Sequence, residues 1–269
     1  MDFSNVCLDG FLPDPVVPGR GETFASGLYK KISSVNTPDF ADMRKYSHER
    51  HDQRLTGSCV AQAVIKALEI KRAMAGKKHL DASVLALYYQ CRQLMNPPKT
   101  TEDSGTYVRL AIHCLKKFGP MPEKLWPFEP DKYLHIEPPN LWEAMQSGYV
   151  NRLCAGYKIE SYNVARVDDV IDALTAGCPV VYGTTVDDQW SQYHGAGASI
   201  LYAVRSGESR GRHATCLVGW TGSQFIGENS WGPRWGRNGF YFMDPDVIAD
   251  NDSQDFWAIT EGYEPWEDN

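Results

Sequence analysis

A chain of 269 residues with 42% hydrophobic and 12% aromatic content is long enough to bury one large core or two modest ones, so disorder is not the default. Its formal net charge of -7, with no run of Lys or Arg to track phosphates, excludes an electrostatic footprint for nucleic acid. Met1 to Gly10 lacks the basic and apolar regions of a secretory signal, and no apolar run reaches the roughly 18 residues of a membrane span. The expectation is a protein without membrane contact, cytoplasmic as synthesised, with export by another route left open.

In chain order, residues 1 to 37 come first as an arm, because Pro13, Pro15, Pro18, Gly19 and Gly21 crowd together and no helical or strand period is sustained. Such a composition suits an extended path with no core of its own. Helical signals begin after Gly57. Ser58 is placed as N-cap, and Val60, Ala63, Val64, Ala67, Leu68 and Met74 recur three and four apart until Gly76 ends the helix. A second helix is expected from Asp81 to Gln93, stopped by Asn96-Pro97-Pro98, and a third from about Thr106 to Phe118, stopped by Gly119-Pro120. The proline-studded connector from Met121 to Asn140 reads as an ordered loop tied down by Trp126, Phe128 and Tyr133.

After Tyr149 the pattern changes to a short helix, Val170 to Ala176, among strands at Pro179 to Val186, His213 to Trp220, Gln224 to Gly227, Gly239 to Met243 and Asp255 to Thr260. A helical half at about 55–148 followed by a sheet half at about 149–269 makes an α+β protein of two subdomains, with a groove between them where a ligand would bind. The seven cysteines (Cys7, Cys59, Cys91, Cys114, Cys154, Cys178 and Cys216) form no CxxC pair, which fits a reduced compartment and argues against a four-thiolate zinc site.

One cysteine stands apart. Cys59 follows the N-cap of the first helix, where the helix N-terminus and a proton-accepting histidine would favour thiolate, the form that acts as nucleophile. Gly57 lets the chain turn there and lets a substrate backbone come close. Six residues before Cys59, the Gln53 amide is placed to join the Cys59 backbone N–H as an oxyanion hole.

The segment Gln53-Arg54-Leu55-Thr56-Gly57-Ser58-Cys59 resembles the nucleophile segment of papain-like cysteine peptidases. Downstream, His213-Ala214-Thr215-Cys216-Leu217-Val218-Gly219-Trp220 resembles the family's histidine strand, and Asn229-Ser230-Trp231-Gly232 its asparagine motif. The three stand in the family's order at spacings close to its own, and bacterial-type members with short N-terminal segments are nearest in style.

This resemblance implies the papain-like fold, with a helical half, a mostly antiparallel β half and the cleft between them. It also implies acyl transfer by Cys59, with His213 as acid and base, Asn229 orienting the imidazole and Gln53 in the oxyanion hole, without metal or organic cofactor. Gly57, Ser58 and Gly105 are expected to line the substrate cleft, Ala214 and Gly183 a side-chain pocket, and Trp231 to shield the His213–Asn229 bond from water. Thr56 stands where relatives carry a cysteine three before the nucleophile, so their disulfide is absent. Arg212 precedes His213, and its cation is expected either to disfavour imidazolium or to recruit an acidic substrate side chain.

The substrate is expected to be a peptide or protein, the enzyme a monomer, and residues 1 to 37 a zymogen-like cover for the cleft. Two other readings of the same Cys-His pair are an acyl transferase of transglutaminase or ligase type and a catalytically silent binding relative.

Overall fold

The computed structural model describes residues 7–13, 39–138, 154–158, 165–194, 199–203, 209–250 and 253–261. The rest of the arm, the end of the expected connector and the glycines at 195 and 197 lie outside the described residues.

Helix α1, Cys59–Met74, crosses the middle of the molecule. Its apolar residues recur at helical spacing, yet the helix is buried nearly all round, including Gln62, Lys66 and Glu69. Burying charge demands partners. Lys66 Nζ donates to Glu69 Oε2 at 2.7 Å and to the Glu49 carbonyl at 2.6 Å, and His51 reaches the same carboxylate at 3.3 Å. Burial pushes the Glu69 pKa up, but His51 and then Lys66 outweigh it and hold the group at about 2.

Two helices pack beside α1: α2, Val84–Gln93, and α3, Val108–Phe118. Ser83 caps α2, its Oγ accepting from the Ala86 N–H at 3.1 Å, so this helix begins three residues later than the sequence suggests. Trp126 is buried against Leu85 and Ala86 and ties the connector to α2, and within that connector Pro130–Tyr133 forms one further turn, α4.

The other half is one antiparallel sheet. Its strands are β1 (Ala41–Asp42), β2 (Cys154–Lys158), β3 (Val180–Val186), β4 (Gly211–Trp220), β5 (Phe225–Glu228), β6 (Phe240–Met243) and β7 (Gln254–Glu261). The order is β2-β7-β3-β4-β5-β6, with β1 pairing β4. The five expected strands agree to within two residues, and the helix expected at 170–176 spans Ala165–Thr175 as α5. Short pieces went unread: β1 and β2, and the single-turn helices α6 (Asp188–Ser191) and α7 (Asp246–Ala249), which are too short to establish a period.

Strand β4 lies deep in the sheet, bonded to β3 on one side and β5 on the other, with register Gly183↔Ala214 and Thr184↔His213. Its residues from His213 onward are all buried. Trp190 stacks on Trp235 and Tyr241 tilts against Trp190, and Trp235 Nε1 donates to the Trp190 carbonyl at 2.8 Å. The N-terminus of α1 faces β4, and residues 7–13 of the arm run between them. Among the described residues, no helix is long and apolar enough to cross a membrane.

Candidate active site

The histidine side of the cleft is built by the sheet. His213 Nε2 meets Asn229 Oδ1 at 2.7 Å, and the same oxygen accepts from the Ser230 N–H at 2.8 Å, which fixes the amide with its oxygen toward the ring. The Asn229 N–H in turn donates to the Gly239 carbonyl at 2.9 Å. The Trp231 ring lies against the imidazole with ring centroids 4.9 Å apart. Trp190 meets the ring edge-on at 6.3 Å, a contact with no sequence motif to announce it.

The cysteine side is built by a loop. Cys59 is the first residue of α1, and the Ala214 backbone N–H, next along the strand from His213, is directed at its sulfur. A separation of 154 residues is thereby closed. Ser58 occupies the N-cap position without capping. Its φ and ψ of -85° and 9° are not those of a capping residue, and its Oγ is turned inward to Thr56 Oγ1 at 2.7 Å and Gln62 Nε2 at 3.4 Å. The Ser58 side chain therefore does not reach the cleft, although its backbone helps to form the loop. Thr56 Oγ1 also donates to the Gln53 carbonyl at 2.8 Å, so hydrogen bonds hold the loop, and Cys7, Cys59, Cys91, Cys114, Cys178 and Cys216 are free thiols.

Gln53 is wholly buried and oriented at both ends of its amide. Ser230 Oγ donates to Oε1 at 2.7 Å, which leaves Nε2 to donate to the Thr56 carbonyl at 2.8 Å and, across the cleft, to the Cys7 carbonyl at 3.4 Å. The expected oxyanion donor thus already faces a peptide carbonyl, one supplied by the arm.

That arm occupies the groove. The Thr106 N–H donates to the Gly10 carbonyl at 3.0 Å and the Leu12 N–H donates to the Thr106 carbonyl at 2.9 Å, while the backbone of Asp9 pairs in a parallel β-bridge with that of Arg212 on the opposite wall. Gly10 passes so close to the nucleophile loop that a Cβ there would lie 2.7 Å from Cys59 Sγ and 2.7 Å from the Gly57 carbonyl. Phe11 is 1% exposed, and its ring lies where a Gly183 side chain would be, 2.1 Å from an ideal Cβ. The Arg212 guanidinium is 5.5 Å from the centroid of that ring. Gly57, Gly105, Gly183, Ala214 and Arg212 are therefore gathered around one channel, and the apolar run from Phe11 to Leu12 inside a Pro/Gly-rich arm was the signal for what fills it.

Burial sets the protonation of the pair. Cys59 and His213 are both 0% exposed. Burial pushes the Cys59 thiol up to about 12 against the pull of the Ala214 N–H, and holds the His213 imidazole down at about 4 against the bond from Asn229. His213 Nδ1 is buried and makes no hydrogen bond. Among the described residues no cluster of three or more His, Cys, Asp or Glu could hold a metal ion.

A profile of papain family cysteine proteases matches residues 37–254. The chain belongs to this family. It is 33% identical over 225 residues to an uncharacterized peptidase C1-like protein, L477, of Acanthamoeba polyphaga mimivirus, covering 80% of this chain and 70% of that one. It is 25% identical over 241 residues to human cathepsin O, covering 83% and 66%. Among solved structures it superimposes on xylellain, a cysteine protease from Xylella fastidiosa, with a TM-score of 0.77 at 23% identity over 96% of this chain and 97% of that one. Procathepsin L 3 of Tenebrio molitor gives 0.64 at 19%, over 95% and 76%. The α+β fold of two halves and the classification as a cysteine protease stand on these findings.

Proposed function

We propose that the chain hydrolyses peptide bonds with Cys59 as nucleophile and His213 as proton carrier, and that residues 1–37 are a cleft-covering arm on a peptidase domain spanning 38–269. The observation that carries this reading is the 2.7 Å bond from His213 to Asn229, on a strand whose next N–H points at the Cys59 sulfur. An imidazole held through Nε2 by an amide oxygen leaves Nδ1 as the atom that exchanges a proton with sulfur. With the arm displaced and the pair wetted, the proton passes from Cys59 to His213. The thiolate then attacks a peptide carbonyl carbon, and the oxyanion that forms is stabilised by Gln53 Nε2 and the Cys59 N–H. His213 gives its proton to the leaving amine, and water, deprotonated by His213, hydrolyses the thioester.

Three features support the arm's inhibitory role. Gly10 crosses the thiol with no room for attack, the Cys7 carbonyl takes the Gln53 donor, and the closed channel keeps thiol and imidazole neutral. Precursor forms of related proteases, procathepsin L 3 among them, share the fold. The pocket at Gly183 that takes the Phe11 ring is then the one that reads a substrate side chain, and an aromatic ring fits it.

The test is hydrolysis of a fluorogenic peptide ending its cleaved segment in an aromatic-X pair, with products identified by mass spectrometry in the presence of a primary amine. Cys59→Ala is expected to lower turnover at least ~10³-fold, with free acid as the main product of the native chain. Undiminished turnover in Cys59→Ala sinks the nucleophile assignment, and a dominant amide product sinks hydrolysis in favour of acyl transfer to amines.

A further inference from the structure

One pair of side chains bonds both the loop that carries Cys59 and the wall that binds the arm's main chain, and neither reaches the cleft as a nucleophile or acid. Asp103, between α2 and α3, accepts from the Gly57 N–H through both carboxylate oxygens, each at 3.0 Å. Tyr88, on α2, donates its hydroxyl to Asp103 Oδ1 at 2.6 Å and accepts from the Gly105 N–H at 2.8 Å. Tyr88 is fully buried, and burial followed by the Asp103 charge pushes its pKa far up, so it stays a phenol and a donor. The packing leaves no slack, since a Cβ on Gly57 would meet Asp103 Oδ1 at 2.9 Å and the Tyr88 oxygen at 3.0 Å.

We propose that Asp103 and Tyr88 are a positioning pair for acyl transfer, the carboxylate setting the Gly57-Ser58-Cys59 backbone and the phenol setting Gly105-Thr106, so that attack and main-chain binding share one frame. The inference rests on the Cys59 reading above. Thr106 is the residue whose N–H and carbonyl bond Gly10 and Leu12, so the phenol's hold on Gly105 is one residue from the binding edge.

An electrostatic role can be weighed against a positional one by sign. The groups facing Asp103 are Tyr88, Arg92, Cys59 and Cys7, and its negative charge raises the pKa of both thiols. A carboxylate retained to activate the thiol would have to lower that of Cys59. Its charge works against thiolate formation, so what it contributes is the fixed amide, through charge-assisted bonds.

The experiment uses the full chain in a Phe11→Ala background, which loosens the arm and stands for the native chain in each comparison, carrying in addition Asp103→Asn, Asp103→Ala or Tyr88→Phe, and reads kcat and KM on a fluorogenic peptide and the pH dependence of Cys59 carbamidomethylation by iodoacetamide. Asp103→Ala is expected to lower kcat about 10- to 100-fold, because the buried Gly57 N–H loses its acceptor. Tyr88→Phe should instead raise KM about 3- to 10-fold with less change in kcat, since Gly105 at the wall loses its partner. Asp103→Asn should be alkylated at lower pH than the native chain while hydrolysing more slowly, two opposite movements that mere loss of stability would not produce.

The proposal is overturned if Asp103→Asn and Tyr88→Phe both keep kcat and KM within about twofold of the native chain, a margin of less than the weakest hydrogen-bond loss. It is equally overturned if alkylation and hydrolysis fall together in Asp103→Asn. Should Asp103→Ala not fold, the two isosteric variants decide. Cys59→Ala separates the two readings: activity surviving in it removes the nucleophile assignment, whereas an inactive Cys59→Ala beside unchanged Asp103 variants removes only the tether.

Discussion

His213 stands on a strand bonded along both edges, flanked by Trp190 and Trp231, while Cys59 stands at a loop-to-helix junction whose backbone is fixed by isolated side chains: Thr56, Ser58, Gln53 and Asp103. The difference follows from what each residue must do. On the proposed roles, an imidazole that shuttles a proton gains from immobility, which the sheet register, the Asn229 amide and the two indoles supply. The sulfur must meet a substrate that enters and leaves, so its loop is left outside regular structure and held by a few directed bonds. Apart from Asn229, the strand side should thus tolerate changes at single polar groups, and the loop side should not.

After loss of the proposed nucleophile itself, the largest expected effect tests that asymmetry at Gln53. Its amide is clamped by Ser230 with the donor end toward the cleft, in a water-excluded site where a hydrogen bond to developing charge is strongest. Gln53→Ala should lower kcat about 10²- to 10³-fold with a smaller change in KM. Steady-state kinetics on the arm-released enzyme checks this, and a loss confined to KM would mean that Gln53 only binds substrate. Ser230→Ala, which frees the amide to flip without removing it, should fall between this variant and the native chain.

The next effect is of opposite sign. Phe11 buries its ring against Gly183 and under Arg212, so Phe11→Ala should weaken the arm and raise the initial rate of the full chain about 10- to 100-fold, the equivalent of one buried aromatic side chain. Gly183→Ala should also expel the ring, since its Cβ would fall within the ring itself, but should in addition lower activity on substrates with an aromatic residue at that position. A rate unchanged in Phe11→Ala would show that the arm does not limit access.

How much of this was legible follows the same division. The histidine strand, the asparagine motif and the five strands were readable because alternation and motif spacing are properties of contiguous residues. Ser58 misled because N-cap preference is a local statistic, and a competing tertiary bond to Thr56 and Gln62 took its hydroxyl. Asp103 and Tyr88 left no trace in the pattern. Tyr88 looked like one more apolar-face residue of its helix, and only the fold brings its hydroxyl, 15 positions from Asp103, to the carboxylate. The arm was half visible: its extended path was read from Pro and Gly, but its bond to Thr106 and the fit of Phe11 are tertiary.

The smallest effect concerns stability and again separates the two sides. His213 is held at about 4 by burial, below its unfolded value of about 6.5, so between these pH values the unfolded chain binds a proton that the folded chain refuses. The contribution of the neutral, buried imidazole is therefore present above about pH 6.5 and is lost as the pH falls toward 4. From pH 7 to 5.5 the loss attributable to this residue is about 1 kcal/mol, or about 2–4 °C in Tm for a chain of this size. Replacing His213 with Gln, which keeps a polar group beside Asn229 but cannot take up the proton, should remove that part of the acid sensitivity. The carboxylates that share the native chain's acid response, Glu69 above all, are common to both proteins and cancel in the difference. Thermal unfolding of the two proteins at pH 7 and 5.5 checks this, and parallel decreases in Tm would mean that the imidazole is wet, or already paired with the Cys59 thiolate, beneath the arm.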